Sequence, residues 1–197
     1  MIHTNIKRLS VMGVLALAAM VAMGCSSSGD VIDDGPTGPE ELPERSRYGN
    51  LSTDGLSVEK IDLDGSGQPD QWIFSDESGQ VVRIERDMNF DGRVDVWEYY
   101  RDGELIEEEK SLDSTPYVDA VVFYVDDEIR RQKMSSKYDG TFAIEKFFGS
   151  DGKLQRVERD TTEDGQVDTW DYYDNGTRIR VGWDTTGDGQ PDRFQEY

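Results

Sequence analysis

Four stretches of this chain place acids at the same offsets: DLDGSGQPD from Asp62, DMNFDGRVD from Asp87, DTTEDGQVD from Asp160 and DTTGDGQPD from Asp184. Oxygen side chains at positions 1, 3 and 5, a turning glycine at 6, a carbonyl from 7 and a further acid at 9 form the donor set that wraps a hard divalent cation, calcium above all. From Asp87 the set is Asp87, Asn89, Asp91, the Arg93 carbonyl and Asp95, with Glu98 as a closing twelfth ligand. The loop from Asp160 offers Asp160, Thr162, Asp164, Asp168 and Asp171. The loop from Asp184 offers Asp184, Thr186, Asp188 and Asp192 but has Gln195 in twelfth place, and Asp62, Asp64, Ser66 and Asp70 are followed there by Ile73. Asp, Asn, Thr and Gly also make good turns by capping their own backbone, so each loop reads either as a calcium site or as a bare acidic turn. The bare turn leaves the recurrence unexplained, because carboxylates crowded within about 4 to 6 Å repel unless protonated or bridged.

The elements that must carry these loops follow from the spacing. The four stretches start 25, 73 and 24 residues apart, and two worn copies fill the long gap: SLDSTPYVDAV from 111 and SSKYDGTFAIE from 135, which have lost ligands and are expected to be empty. Arg130, Arg131, Lys133 and Lys137 gather in these copies, where bases can neutralise neighbouring acids. A fixed period of this length means stacked supersecondary units that bury a shared face. Within a unit the pattern has period two. In DVWEYY, Asp95, Trp97 and Tyr99 fall on one side and Val96, Glu98 and Tyr100 on the other, and DTWDYY at 168–173 repeats it. The aromatic side recurs as Trp72 and Phe74, Phe123, Phe147, Trp170 and Tyr172, and reads as a packing stripe, with sugar stacking as the alternative. Turn signals at RDG (101), SDG (150) and DNG (174) separate the strands of each hairpin. The expected fold is all-β, an antiparallel meander of about eleven strands from six tandem 24–25-residue hairpin repeats, as an open or spiral sheet or with barrel-like closure.

Three segments are expected: a signal peptide at 1–24, a lipidated Cys25 with a tether through 55, and the repeat domain at 56–197. Lys7 and Arg8 precede an apolar run of 13 residues, VMGVLALAAMVAM, which is too short to span a bilayer at about 20 residues per helix. Residues 26–55 hold three of the six prolines and almost no large apolar side chains, so they cannot build a core. Lys7 and Arg8 are the only charges in 1–24, so 19 of the 21 bases remain against all 42 acids, a net of −23. Such a surface argues against nucleic acid as a partner and leaves membrane contact to an N-terminal lipid. The one histidine, His3, falls in the signal segment and the one cysteine is Cys25, which excludes histidine-dependent triads, His or Cys zinc sites and intrachain disulfides from the rest of the chain.

The stretch AMGC at 22–25 resembles the lipobox of bacterial lipoproteins, which implies cleavage before Cys25 and diacylglycerol on its sulfur. The family resemblance, with Ser26 rather than Asp after the cysteine, favours the outer membrane. The acidic loops resemble EF-hand loops but lack room for flanking helices, and are closer to the Asp-x-Asp-x-Asp-Gly loops of thrombospondin type 3 repeats, dockerin-like modules and integrin-type blades. The hairpin rhythm is similar to MORN-type repeats. Together these imply a non-enzymatic, lipid-anchored envelope protein with structural calcium, serving as a binding or structural module for an envelope protein or a glycan, as in adhesion or gliding machines. Two alternatives stay open: a carboxylate-dependent polysaccharide hydrolase, and a repeat scaffold without metal.

Overall fold

The computed structural model describes residues 52–113 and 115–197. The signal segment, Cys25 and all of the tether but residues 52–55 lie outside them. The described chain forms twelve strands and no helix: β1 (Ser57–Ile61), β2 (Gln71–Ser75), β3 (Val81–Arg86), β4 (Val96–Arg101), β5 (Glu104–Lys110), β6 (Ala120–Val125), β7 (Glu128–Ser135), β8 (Phe142–Phe148), β9 (Leu154–Arg159), β10 (Thr169–Asp174), β11 (Thr177–Trp183) and β12 (Arg193–Glu196). They lie in one antiparallel sheet in strict chain order. The all-β meander is therefore as the repeat implies, with one strand more than the eleven expected. The addition is β1, which precedes the first acidic loop and is polar and largely exposed, so no aromatic pair marks it in the sequence.

The sheet stays open and does not close into a barrel. Among the described residues its two edges, β1 and β12, pair only with β2 and β11. Each of the five tight hairpins carries a bulge at the same step, after Phe74, Tyr99, Phe123, Phe147 and Tyr172. A bulge adds local right-handed twist, so the sheet gains twist at the same step of each of these hairpins, and a further irregularity falls between Met134 and Ser135.

One face carries the aromatic stripe. Across the strands the second aromatic of each hairpin alternates with a charged residue: Phe74 faces Arg83, which faces Tyr99, then come Glu107, Phe123, Arg131, Phe147, Arg156 and Tyr172. Among the described residues no helix covers this face, and the long charged side chains do so instead. The Arg83 guanidinium lies 3.9 Å from the Phe74 ring centre and that of Arg156 lies 4.4 Å from Phe147, cation–π contacts worth about 2 kcal/mol each when desolvated. The densest packing is central, where Trp97, Tyr99, Val118, Val121 and Phe123 form a buried cluster. Glu109, in this same region, is buried and accepts the Tyr99 hydroxyl at 2.9 Å.

Candidate metal centre

Strict chain order in an antiparallel sheet sends successive connections to alternate ends. The connections after β2, β4, β6, β8 and β10 are short. All six acidic loops, after β1, β3, β5, β7, β9 and β11, therefore line the other end. Successive loops stand two strands apart, about 9.5 Å at the usual strand spacing. They are joined by backbone hydrogen bonds in which the first position of one nine-residue frame donates to the ninth position of the frame before: Asp87 N to Asp70 O (2.8 Å), Ser111 N to Asp95 O (2.8 Å), Ser135 N to Asp119 O (2.7 Å), Asp160 N to Ala143 O (2.9 Å) and Asp184 N to Asp168 O (3.0 Å). The loops form one continuous acidic rim.

Each of the four full loops is folded around its first and ninth residues. The first carboxylate accepts the N–H of the sixth residue, always glycine: Gly67 to Asp62 (2.8 Å), Gly92 to Asp87 (2.7 Å), Gly165 to Asp160 (2.8 Å) and Gly189 to Asp184 (2.6 Å). That glycine is left-handed in every case, with φ between 80° and 90°, which is why the sequence keeps it. The ninth carboxylate reaches back to the second residue: Leu63 donates to Asp70 (2.7 Å), Met88 to Asp95 (2.9 Å), Thr161 to Asp168 (2.8 Å) and Thr185 to Asp192 (3.0 Å). The fifth side chain caps the seventh N–H, as Asp91, Asp164 and Asp188 do for Arg93, Gln166 and Gln190. Hydrogen bonding tunes the acidity of several of these groups. The Thr185 hydroxyl holds Asp192 below the usual carboxylate value, and the Ser66 N–H does the same for Asp64.

The carboxylates converge at one loop in particular. Among the described residues, Asp62, Asp64 and Asp70 form the group of three whose ligand oxygens all lie within 4.8 Å of one another. Asp62 and Asp64 are exposed and Asp70 is buried, so the cluster opens to solvent on one side. This group can hold a metal ion. The loop richest in consensus ligands, from Asp87, does not bring three acids together at that distance; its third ligand position is Asn89, whose amide instead donates to Asp95 (3.3 Å).

The two acids expected to close their loops from twelfth place point elsewhere. Glu98, on β4, is paired with Arg86 and accepts the Tyr100 hydroxyl at 2.7 Å. Asp171, on β10, is buried and paired with Arg159, with Arg178 at 3.3 Å. Strand periodicity is the reason: each lies three residues beyond its loop's ninth acid and so on the opposite face. The bases of the worn copies likewise serve strand acids or neighbouring loops, Arg131 pairing with Glu145 and Lys137 with Glu163.

No protein-family model matches this chain, and no curated protein does. Among solved structures it is similar to a glycosylation associate protein complex from Streptococcus agalactiae, at 12% identity and a TM-score of 0.44 over 62% of this chain and 22% of that one. It is also similar to accessory secretory protein 1, 2 and 3 of Streptococcus pneumoniae, at 17% identity and a TM-score of 0.27 over 65% of this chain and 23% of that one. The chain thus spans under a quarter of the length of the structures it matches.

Sequence reasoning passed over one acid on the rim. Asp119 is the ninth residue of the worn loop 111–119 and makes the same reach-back contact as its counterparts, accepting the Leu112 N–H at 2.8 Å. Its signal was present in the repeat frame, since an Asp stands at this offset in five of the six copies.

Proposed function

We propose that this chain is a non-enzymatic, lipid-anchored protein of the outer membrane whose repeat sheet is rigidified by calcium and serves as a binding or structural module for an envelope protein or a glycan. The observation that carries the reading is the convergence of Asp62, Asp64 and Asp70 within 4.8 Å, on a rim where the same loop geometry recurs. Carboxylate-only donors select a hard cation, and calcium tolerates the open, irregular coordination that an exposed loop offers, whereas magnesium demands a tight octahedron. An ion bound only by the folded sheet stabilises it by an amount that grows with the logarithm of free ion over dissociation constant. The lipobox-like AMGC supports the anchor, and the strong negative charge supports a partner other than nucleic acid or anionic lipid.

The test is a thermal melt of the protein in calcium and in EDTA, for the natural sequence and for Asp62→Asn. Calcium is expected to raise Tm by several degrees, with the increment reduced in the variant. A Tm indifferent to both calcium and the substitution would sink the calcium reading. The anchor is tested separately by mass spectrometry of the membrane fraction, where Cys25→Ser is expected to abolish the diacylglycerol adduct.

A further inference from the structure

Trp183 stands apart from the other tryptophans. Trp72, Trp97 and Trp170 lie on the stripe face, whereas Trp183 follows Gly182, the cross-strand partner of Trp170, and so falls on the opposite face. Of the six residues that immediately precede a loop it is the one aromatic, the others being Ile61, Arg86, Lys110, Met134 and Arg159. Its cross-strand partners are the polar Thr169 and Arg193, and it is half-buried. A tryptophan set among polar groups offers a flat apolar surface with an N–H at its edge.

Trp183 lines a cleft of about 410 Å³ between loops 160–168 and 184–192, which lies within the range of small-molecule sites, about 300–1,000 Å³. The lining also includes Thr161, Asp168, Thr169, Arg193 and Gln195. Its hydrogen-bonding groups divide into two kinds. The Thr161 and Thr169 hydroxyls donate to Asp168 at 2.8 and 2.9 Å, and the Thr185 hydroxyl donates to Asp192 at 2.6 Å. An ionised carboxylate only accepts, so these three hydroxyls have committed their protons and present lone pairs alone. Donors come from β11 and β12. Among the described residues the Trp183 indole N–H, the Arg193 guanidinium and the Gln195 amide have no hydrogen-bond partner, and Arg193 lies against the Trp183 ring at 5.5 Å from its centre.

Oriented acceptors, free donors and a flat ring together select among ligands. An anion would meet Asp168 and Asp184 in the lining, a cation would meet Arg193, and an apolar ligand would strand the polar groups away from water. A sugar suits all three features, because each hydroxyl both donates and accepts while the C–H face of the ring covers an indole. We infer that the cleft beside Trp183 is a binding subsite for a neutral glycan. The sugar ring lies on the indole, its hydroxyls donate to Thr161, Thr169 and Thr185, and they accept from Arg193 and Gln195. This assignment rests on the reading of the sheet as a binding module and narrows the partner to a neutral glycan. It uses none of the residues of the Asp62 cluster.

The experiment is isothermal titration calorimetry of the full-length protein in a detergent without a sugar headgroup, once with calcium and once with EDTA. The probes are maltohexaose, cellohexaose, mannohexaose and chitohexaose, with hexagalacturonate as the anionic control. At least one neutral oligosaccharide is expected to bind saturably and more tightly than hexagalacturonate. Trp183→Ala is expected to weaken that binding by about tenfold, Trp183→Phe by less because a ring remains, and Gln195→Ala by about threefold. No saturable binding of any neutral oligosaccharide in either condition overturns the subsite, and leaves the calcium reading to the melts of Asp62→Asn. Natural affinity in Trp183→Ala overturns the subsite while keeping a glycan as the partner of the module. Tighter binding of hexagalacturonate than of the neutral set overturns the neutral assignment. Should Trp183→Ala fail to fold, Gln195→Ala, on an exposed residue, decides the question alone: weakened binding supports the subsite, and natural binding overturns it.

Discussion

At one end of the sheet, Asp102–Gly103, Asp126–Asp127 and Asn175–Gly176 reverse the chain in two residues each; at the other, loops 62–70, 87–95, 160–168 and 184–192 use nine. In the three short turns both residues have positive φ, from 48° to 86°, the mirror-image turn whose twist matches that of the strands. Their shape is dictated by backbone sterics alone. The long loops are instead wound around carboxylates: remove Asp87 and the Gly92 N–H loses its acceptor, while the Asp91 N–H keeps only Asn89. The three mirror-image turns are therefore indifferent to protons, whereas the turns after β2 and β8 rest on Asp76 and Asp151 and the long loops are wound on carboxylates throughout. A single sheet thus carries turns set by sterics at one end and loops set by carboxylates at the other, with the aromatic and arginine stripe between them.

The contrast can be broken in three ways. Asp87→Ala removes a carboxylate that is 2% exposed and holds two backbone N–H groups, and is expected to cost about 2 kcal/mol or more in urea denaturation. The loss should be larger in calcium than in EDTA if the rim binds ions as proposed; an equal loss would place the loop's energetics wholly in its own hydrogen bonds. Gly103→Ala forces a β-carbon into a turn with φ of 86° and is expected to cost about 1 kcal/mol, identical in calcium and EDTA. A calcium-dependent cost there would erase the distinction between the ends.

The smallest effect is a separation in pH, read by amide hydrogen exchange in EDTA. Asp192 and Asp64 have folded pKa values below their ordinary 3.8, so the stability they contribute is present above 3.8 and lost as pH falls through the lower folded value. Glu85 and Glu158 behave oppositely. Burial raises both above 4.5, against the pull of Arg83 and Arg156, so the stability tied to them is present below 4.5 and lost as pH rises through the raised value. Acidification through this range is expected to tighten the strands around Glu85 and Glu158 before the loop amides of Ser66 and Thr185, held by Asp64 and Asp192, lose protection. Simultaneous loss of protection at Gly103 and Thr185 would contradict two separately governed ends.

Much of this was legible in the residues. Asp-Gly and Asn-Gly pairs at a fixed distance from Trp-x-Tyr or Trp-x-x-Tyr strands announced hairpins, because only certain residues enter mirror-image turns cheaply. Strand β1 was hidden because Ser57–Ile61 lacks the aromatic pair that marks the other hairpins, and openness was hidden because closure depends on accumulated twist rather than on any one residue. At the rim, ligand counting favoured Asp87 over Asp62, since a consensus records which side chains are present and not the distances between them. Glu98 and Asp171 satisfied the count but not the pleat, whose parity turns them to the other face. Asp119 was missed for a further reason. It keeps its place in the repeat frame, but Ser111 and Pro116 stand where the full loops have their first acid and their sixth-place glycine, so the copy reads as worn.

The strict chain order of the sheet has a last consequence. Each strand makes its main contacts with the one before it and the one after it. Stability in such an arrangement is close to a sum of nearest-neighbour contributions, and damage stays where it falls. A lesion at Asp184 therefore goes unfelt at Asp62. If ions occupy the rim, they need not arrive or leave together: the protein can soften one pair of strands at a time as ions become scarce, giving a graded stiffness where a compact globule would give a single threshold.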